Sequence, residues 1–445
     1  MLSLLFGLAL SIAGFIGTFW FDPFWGLVVF STFTHITPQQ LSEEIIVPLR
    51  IPFLLSISVL ITYITSSKYS NKFSYRPLEL YLMLFMAAGM AIGSLYAFDK
   101  TAAWEGTSAF FKYIIFFLLF VNIIDSDYKL TWFKNALMLS SAWLVYKCWD
   151  LRGTTGDRFE NWGGGVVQDA NQFAAALILM LPLVLNKALK KGNNWIRIGA
   201  SLGAFGMIMS IMLTGSRGGF LGLVGCAIAF IIFFKEYRKK ALYLFLALML
   251  VALSYSPEYY VERITGVFSS EKVEEDESSQ QRLDAWNLAI EVWLKNPIFG
   301  CGMRNFAYYM GYHKEDLDWG ELGHVAHSLW FETLGEGGLL LFLPLVFLLA
   351  LFFTRSFNVR KKSIINEDII TYHEIAALEV GMIGFLIAAS FVNRLVYEPI
   401  YWWSAMALIH QRFLGQNKEK PAEEKNEAQI ENIFELPKSM NNPFT

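Results

Sequence analysis

Three side chains stand out by type and position as able to do chemistry: Arg217, Arg282 and His327. Arg217 lies in Leu213-Thr214-Gly215-Ser216-Arg217-Gly218-Gly219 at the boundary of an apolar run. A guanidinium flanked by glycines that admit backbone and ligand offers a planar fork of donors suited to phosphate oxygens. A snorkelling arginine at a helix end fits the same residues. Arg282 opens a segment with Leu283, Trp286, Ile290, Trp293 and Leu294 on one side, ended by Asn296-Pro297. That spacing predicts an amphipathic helix in the membrane interface, its tryptophans at headgroup depth, with Arg282 near headgroups or simply on its surface. His327 sits where a polar stretch meets an apolar run, a place suited to general base work near neutral pH or to plain interfacial hydrogen bonding. Glu332 and Glu336 follow it on roughly the same face.

Secondary candidates accompany these three. Ser216 adjoins Arg217, and Asn171, in Gln168-Asp169-Ala170-Asn171-Gln172, opens another run that could line a polar cavity or merely be capped by Asp169. Arg50, between Pro48 and Pro52 near a run's outer end, needs a partner or a cavity if it enters the membrane. Arg158, in the loop from Trp149 to Gln168, is a further basic candidate, and Glu332 a further acidic one. Metal chemistry is weakly supported. His324 and His327 share a helical face without a well-placed carboxylate, and Asp316-Leu317-Asp318 lies in an acidic stretch where solvation explains it. No metal and no cofactor are expected.

The elements that must position these residues are membrane helices. With 445 residues, 55% hydrophobic, 17% charged and a mean hydropathy of +0.40, the chain is far more apolar than a soluble protein of its length. A net charge of −3 supplies no basic face for nucleic acid. Cys148, Cys226 and Cys301 are too scattered for a disulfide framework or a thiolate cluster. A helix needs about 20 apolar residues to cross a hydrocarbon core of about 30 Å. Runs of that kind lie near residues 2–20, 23–36, 45–66, 78–98, 104–124, 131–149, 169–188, 195–214, 217–234, 240–255, 329–353, 375–392 and 399–414. The second and last are short, so the expectation is an all-α, polytopic membrane protein with about 12 spans. The first run lacks a basic leader and a cleavage pattern and is expected to be retained.

Lysine and arginine in short loops mark the cytoplasmic side. They cluster at Lys68, Lys72 and Arg76; at Lys187, Lys190, Lys191 and Arg197; at Lys235, Arg238, Lys239 and Lys240; and at Arg355, Arg360, Lys361 and Lys362. Alternation then brings the 149–168 loop, the Thr214–Arg217 turn, the 256–328 region and the 393–399 turn to one opposite face. Four parts are expected: a membrane bundle over 1–255, a large extracytoplasmic loop containing helices over 256–328, further membrane helices over 329–414, and a polar, disordered cytoplasmic tail over 415–445.

Read in order, these pieces resemble a known family. Thr214-Gly215-Ser216-Arg217-Gly218-Gly219, the loop with Arg282, Asp284 and Trp286, then Asn296-Pro297-Ile298-Phe299-Gly300-Cys301-Gly302, and His327-Ser328 with Glu332, Glu336 and Gly337 resemble the O-antigen ligase and polymerase superfamily. The resemblance covers Asp169 to Leu345. Phe21-Asp22-Pro23-Phe24-Trp25-Gly26 and Thr37-Pro38 are similar, more loosely, to its O-glycosylation ligase branch. Ser328 departs from the pattern, since many members carry asparagine there.

The resemblance implies a GT-C-like fold in the bacterial inner membrane with its active site facing the periplasm. It implies a metal-independent, inverting glycosyltransferase that takes a glycan from undecaprenyl diphosphate and passes it to a lipid A-core sugar. Arg217 and Arg282 would grip the donor diphosphate, and His327 would activate the acceptor hydroxyl. An O-antigen or exopolysaccharide polymerase, or a protein O-oligosaccharyltransferase, would use the same residues. A lipid-linked glycan flippase is the alternative from another class, although no internal repeat or pair of broken helices points to it.

Overall fold

The computed structural model describes residues 2–36, 50–69, 71–150, 169–255, 277–308, 325–393, 395 and 397–416. Among the described residues the regular elements are all helical. Each apolar run of the sequence is a helix: α1 (Leu2–Ile16, continuing as a π-turn over Gly17–Phe21), α2 (Pro23–Ile36), α3 (Ile51–Thr65), α4 (Leu78–Tyr96), α5 (Lys100–Ile123), α6 (Asp127–Asp150), α7 (Ala170–Leu189), α8 (Asn194–Leu213), α9 (Arg217–Phe233) and α10 (Arg238–Tyr255). The polar 256–328 region contributes α11 (Glu277–Lys295), and α12 (Leu329–Ile365), α13 (Ile369–Ala389) and α14 (Glu398–Gln416) complete the order.

Local chemistry sets where several helices begin. Asp99, Asp169, Ser216 and Asp368 each accept a backbone N–H three residues on, which satisfies one of the orphan donors of a helix N-terminus. Pro23 opens α2 and Pro52 the first turn of α3, where a missing N–H costs nothing.

Among the described residues, six helices are long and apolar enough to cross a membrane: α4, α5, α7, α8, α12 and α13. A seventh is formed if α9 and the start of α10, bent by 103° at Phe234, count as one. The chain is therefore a multi-pass membrane protein. Helices α1 to α3 are shorter, and charged residues such as Lys129 and Lys134 in α6 and Arg412 in α14 lower the apolarity of those helices.

Helix α7 is apolar all round and sits at the centre: from Phe173 to Val184 every residue is buried. Helices α9 and α13 pack on it through small residues. A Cβ placed at Gly222 would lie 2.8 Å from both the Ala388 Cβ and the Gly384 carbonyl oxygen, and one at Gly384 would lie 2.7 Å from Ile178. Close backbone approach of this kind is how helices gain van der Waals contact where lipid removes the hydrophobic drive.

Charge gathers at one end of the bundle. Arg355 bridges Glu79 and Gln411, Arg360 pairs with Glu379, and Lys134 meets Glu374 at 2.5 Å. Between α1 and α2, Asp22 receives Lys68, the Tyr69 hydroxyl at 2.7 Å and the Phe24 N–H at 2.9 Å, with Lys129 at 3.8 Å. Burial by itself would push the Asp22 carboxyl up, but these four partners outweigh it and hold it below the ordinary carboxylate value. Arg355, Arg360, Lys361 and Lys362, read from sequence as a loop, instead lie on the last turns of α12, which runs on to Ile365 because buried Glu79 and Glu379 receive the first two.

Candidate functional site

At the opposite end of the bundle, four segments distant in sequence meet. The first is the start of α9. Ser216 is its N-cap, with its Oγ accepting the Gly219 N–H at 2.9 Å and donating to Asn171 Oδ1 at 2.6 Å. That second bond pins α9 to the start of α7, where Asp169 accepts the Gln172 N–H at 2.8 Å. Both Ser216 and Asn171 are buried. Arg217 is therefore the first helical residue of an anchored N-terminus, half-buried, at the positive end of the helix dipole. An anion bound there meets both a guanidinium and unsatisfied backbone N–H groups.

The second segment is the turn after α13. A Cβ on Gly218 would lie 2.7 Å from the Cβ of Phe391, so the backbone next to Arg217 runs directly against that ring. Phe391 in turn lies 6.1 Å from the Trp286 ring on α11, the third segment. The Trp286 indole stacks on Phe331 at 5.0 Å and donates its N–H to the Ala326 carbonyl at 2.9 Å. Ala326 immediately precedes His327, the fourth. Through Gly218, Phe391, Trp286 and Ala326 the structure thus joins the segments that carry Arg217, Arg282 and His327.

Helix α11 docks on a face rotated from the expected one. Its buried residues are Ala285, Leu288, Ala289 and Val292, which pack with Phe306 and Ala326, whereas Leu283 and Leu294 are exposed. Small side chains let α11 sit close on α12, with Trp286 packed inward on Phe331 and Leu283 and Leu294 facing outward. Arg282, in the second turn of α11, is half-buried.

His327 has φ +47°, in the left-handed region that a β-carbon disfavours. Strain of this kind persists only where the surroundings fix it. Here Ala326 is held by Trp286 on one side and Ser328, fully buried, begins α12 on the other. Ser328 caps nothing with its side chain, and its Oγ has no hydrogen-bond partner among the described residues. Glu332 lies one turn further, with Oε2 buried and likewise unpartnered. Asn393, in the turn after Phe391, also has a buried Oδ1 without a partner. Sequence reading passed over Asn393 and Phe391; their position after a span on the shared face was the only signal for them.

Helix α12 is broken beside the site, and the glycine-rich loop after α11 fills the break. At Gly338 the backbone turns to φ +57°, ψ −155°. The N–H groups of Leu339 and Leu340 donate to the carbonyls of Pro297 and Ile298 at 2.9 and 3.2 Å, and those of Cys301 and Gly302 donate to Gly335 and Glu336 at 2.9 Å. Gly300, at φ +64°, approaches so closely that a Cβ would lie 2.4 Å from the Gly335 oxygen. Polar backbone freed at membrane depth is tolerated only when other protein groups satisfy it, and this loop supplies them. Asn305 fastens the loop's far side: its amide accepts the Asp99 N–H at 2.7 Å and donates to the Asp99 carbonyl at 3.0 Å.

The remaining candidates fall elsewhere. Arg50 is exposed, at the left-handed N-cap of α3 (φ +45°). Arg158, His313, Asp316, Asp318 and His324 lie outside the described residues. Among the described residues no group of three or more His, Cys, Asp or Glu side chains is gathered as metal ligands would be.

The segment that carries this geometry is also the one that matches a known family. Residues 202–346, from within α8 to the middle of α12, match the O-antigen ligase family model. Over this segment the chain is similar to the O-antigen ligase family. The matched residues include Arg217, Arg282 and His327. Among curated proteins, none matches the sequence.

Proposed function

We propose that this O-antigen ligase family member is a metal-independent, inverting glycosyltransferase. It moves an oligo- or polysaccharide from undecaprenyl diphosphate to a sugar of lipid A core, at the periplasmic face of the bacterial inner membrane. The observation that carries the reading is the chain of contacts from Gly218 through Phe391 and Trp286 to Ala326, which draws the three family segments to one end of the bundle. A GT-C-like arrangement of about 12 spans belongs to the same reading.

In this reaction His327 removes the proton from the acceptor hydroxyl as its oxygen attacks the anomeric carbon of the donor sugar. The bond from that carbon to the diphosphate oxygen breaks, and undecaprenyl diphosphate leaves with the electron pair. Arg217, Arg282 and the N-terminus of α9 stabilise the charge that develops on the leaving group. Ser216 and Asn171 keep that N-terminus in place, and Glu332 lines the first turn of the helix that His327 precedes. A donor already activated on its lipid needs no nucleotide-binding motif.

Deletion of the gene followed by analysis of surface and carrier-linked glycans tests the reading. A ligase leaves long chains on the carrier and none on lipid A core. Single repeats on lipid A core point instead to a polymerase, glycan missing only from protein to a protein O-oligosaccharyltransferase, and lipid-linked glycan trapped on the cytoplasmic leaflet to a flippase.

A further inference from the structure

A second apolar feature runs toward the basic end of the bundle. Helices α7, α8, α9 and α10 enclose a groove of about 270 Å³, lined by apolar side chains such as Leu185, Ala204, Leu223, Phe230 and Phe245. That is below the range of about 300–1,000 Å³ of sites that enclose a compact ligand, and it is open along one side. Its shape and lining suit a segment of hydrocarbon chain. Along α9 at 1.5 Å per residue the lining runs from Leu223, about 9 Å from Arg217, to Phe230, about 20 Å away, and on to Lys240 beyond the bend.

The groove has one cationic group in its lining, Lys240, at the sharp bend between α9 and α10. Lys240 is exposed and pairs with no carboxylate among the described residues. Lys235, Arg238 and Lys239 flank it, and Glu236 is the only acid in that stretch. Ala188 and Leu189, which also line the groove, lead directly into Lys190, Lys191 and Arg197. Of these, Lys190 has an acidic neighbour, Glu374 at 3.9 Å, and that carboxylate is already engaged by Lys134. An apolar slot with Lys240 in its lining and further lysine and arginine next to its lining segments in sequence complements one kind of molecule: a chain lipid with an anionic headgroup.

The geometry points to a bound anionic phospholipid of the leaflet that faces the basic loops, one acyl chain between α8 and α10 and its phosphate at Lys240. The site clamps the bent α9–α10 pair onto α8, so the lipid acts as a structural ligand of the helix that begins at Arg217. It does not depend on the assignment of Arg217, Arg282 or His327.

Delipidated full-length protein, titrated with phosphatidylglycerol or with phosphatidylcholine of identical acyl chains, can be followed by native mass spectrometry. The first phosphatidylglycerol is expected to bind roughly tenfold more tightly than phosphatidylcholine. Lys240→Glu should remove that difference. Arg76→Glu, the same charge change in the basic loop between α3 and α4, should leave it intact. Ala227→Phe, which fills the groove, should weaken both lipids. Equal binding of the two lipids, or equal losses in Lys240→Glu and Arg76→Glu, would overturn the site in favour of diffuse attraction. One-for-one displacement of phosphatidylglycerol by a polyprenyl phosphate would overturn the choice of occupant.

Discussion

The two ends of the bundle are built from different materials. At the basic end, buried charges are matched: Arg355 with Glu79, Arg360 with Glu379, Lys134 with Glu374, and Asp22 with Lys68 and Lys129. At the other end the architecture is fastened by neutral groups. Backbone amides of the 297–302 loop close the gap in α12, Asn305 grips Asp99, Ser216 grips Asn171, and Trp286 grips Ala326. The one ion pair described there, Arg304 with Glu105 at 3.1 Å, is solvent-exposed. Ion pairs hold helices together at the first end, where their loss leaves a charge stranded in a poor solvent for it. Neutral fastenings at the second end set the backbone without adding a fixed charge beside the proposed diphosphate site.

That contrast can be broken by mutation. Largest should be the effects on folding. Arg355→Met strands Glu79, whose side chain is 1% exposed, and should cost about 3–5 kcal/mol without changing turnover per folded molecule. Gly338→Ala should cost a similar amount, on the order of 4 kcal/mol, since its Cβ would lie 2.5 Å from the Ile298 oxygen at a positive φ. Unlike Arg355→Met it should also lower turnover, because the break in α12 shapes the site. Thermal unfolding in detergent beside turnover in vesicles reads both, and equal per-molecule turnover in the two variants would erase the contrast.

Asp22→Asn is expected to cost about 3 kcal/mol at neutral pH. Because the folded carboxyl is held below its ordinary value, its contribution is complete above the unfolded value of about 3.9 and lost as pH falls through the folded value. Wild type and Asp22→Asn should therefore stay apart down to about pH 4 and converge only as pH falls further, through the lower folded value. A gap that persists into acid would show that packing, not charge, is what Asp22 supplies. Ser216→Ala should cost about 1 kcal/mol as a lost helix cap and should weaken donor binding by loosening Arg217. Smallest is the effect of chelation: transfer should proceed unchanged in EDTA, and loss restored by Mg²⁺ would bring Asp316 and Asp318 into the site.

Much of this molecule can be read from the chain itself. The described part of each of the thirteen apolar runs is helical, because in a membrane protein length and hydropathy nearly decide the element. Boundaries such as Asp169, Ser216 and Pro23 are legible for the same reason, as local capping chemistry. The break in α12 was not legible. Gly335-Glu336-Gly337-Gly338 sits inside an apolar run, and what opens it is a loop 34 to 42 residues earlier whose backbone pairs with it. The rotated face of α11 was missed because hydrophobic spacing weighs large residues, whereas the close docking on α12 selects Ala285 and Ala289. Pairing of Arg355 and Arg360 with acids on other helices is likewise a long-range fact, so from sequence those residues mark a loop. The site arginines and His327 could be singled out from type, flanking glycines and place, but the aromatic bridge through Phe391 that gathers them could not.

The central claim is that glycan transfer occurs at the end of the bundle where α9 starts and His327 precedes α12. Its most direct measurement is the initial rate of transfer with purified lipid-linked donor and acceptor, at equal amounts of folded protein. Wild type is compared with His327→Ala, Arg217→Lys and Arg282→Lys. A general base of this kind contributes about 10²- to 10⁴-fold, so His327→Ala should lose that much while still binding donor. Both lysine variants should bind donor poorly, since a point charge does not replace a bidentate fork. The wild-type rate should fall on acidification, as protonation of the imidazole removes the base. Near-normal turnover by His327→Ala, with both lysine variants unimpaired, would contradict the account.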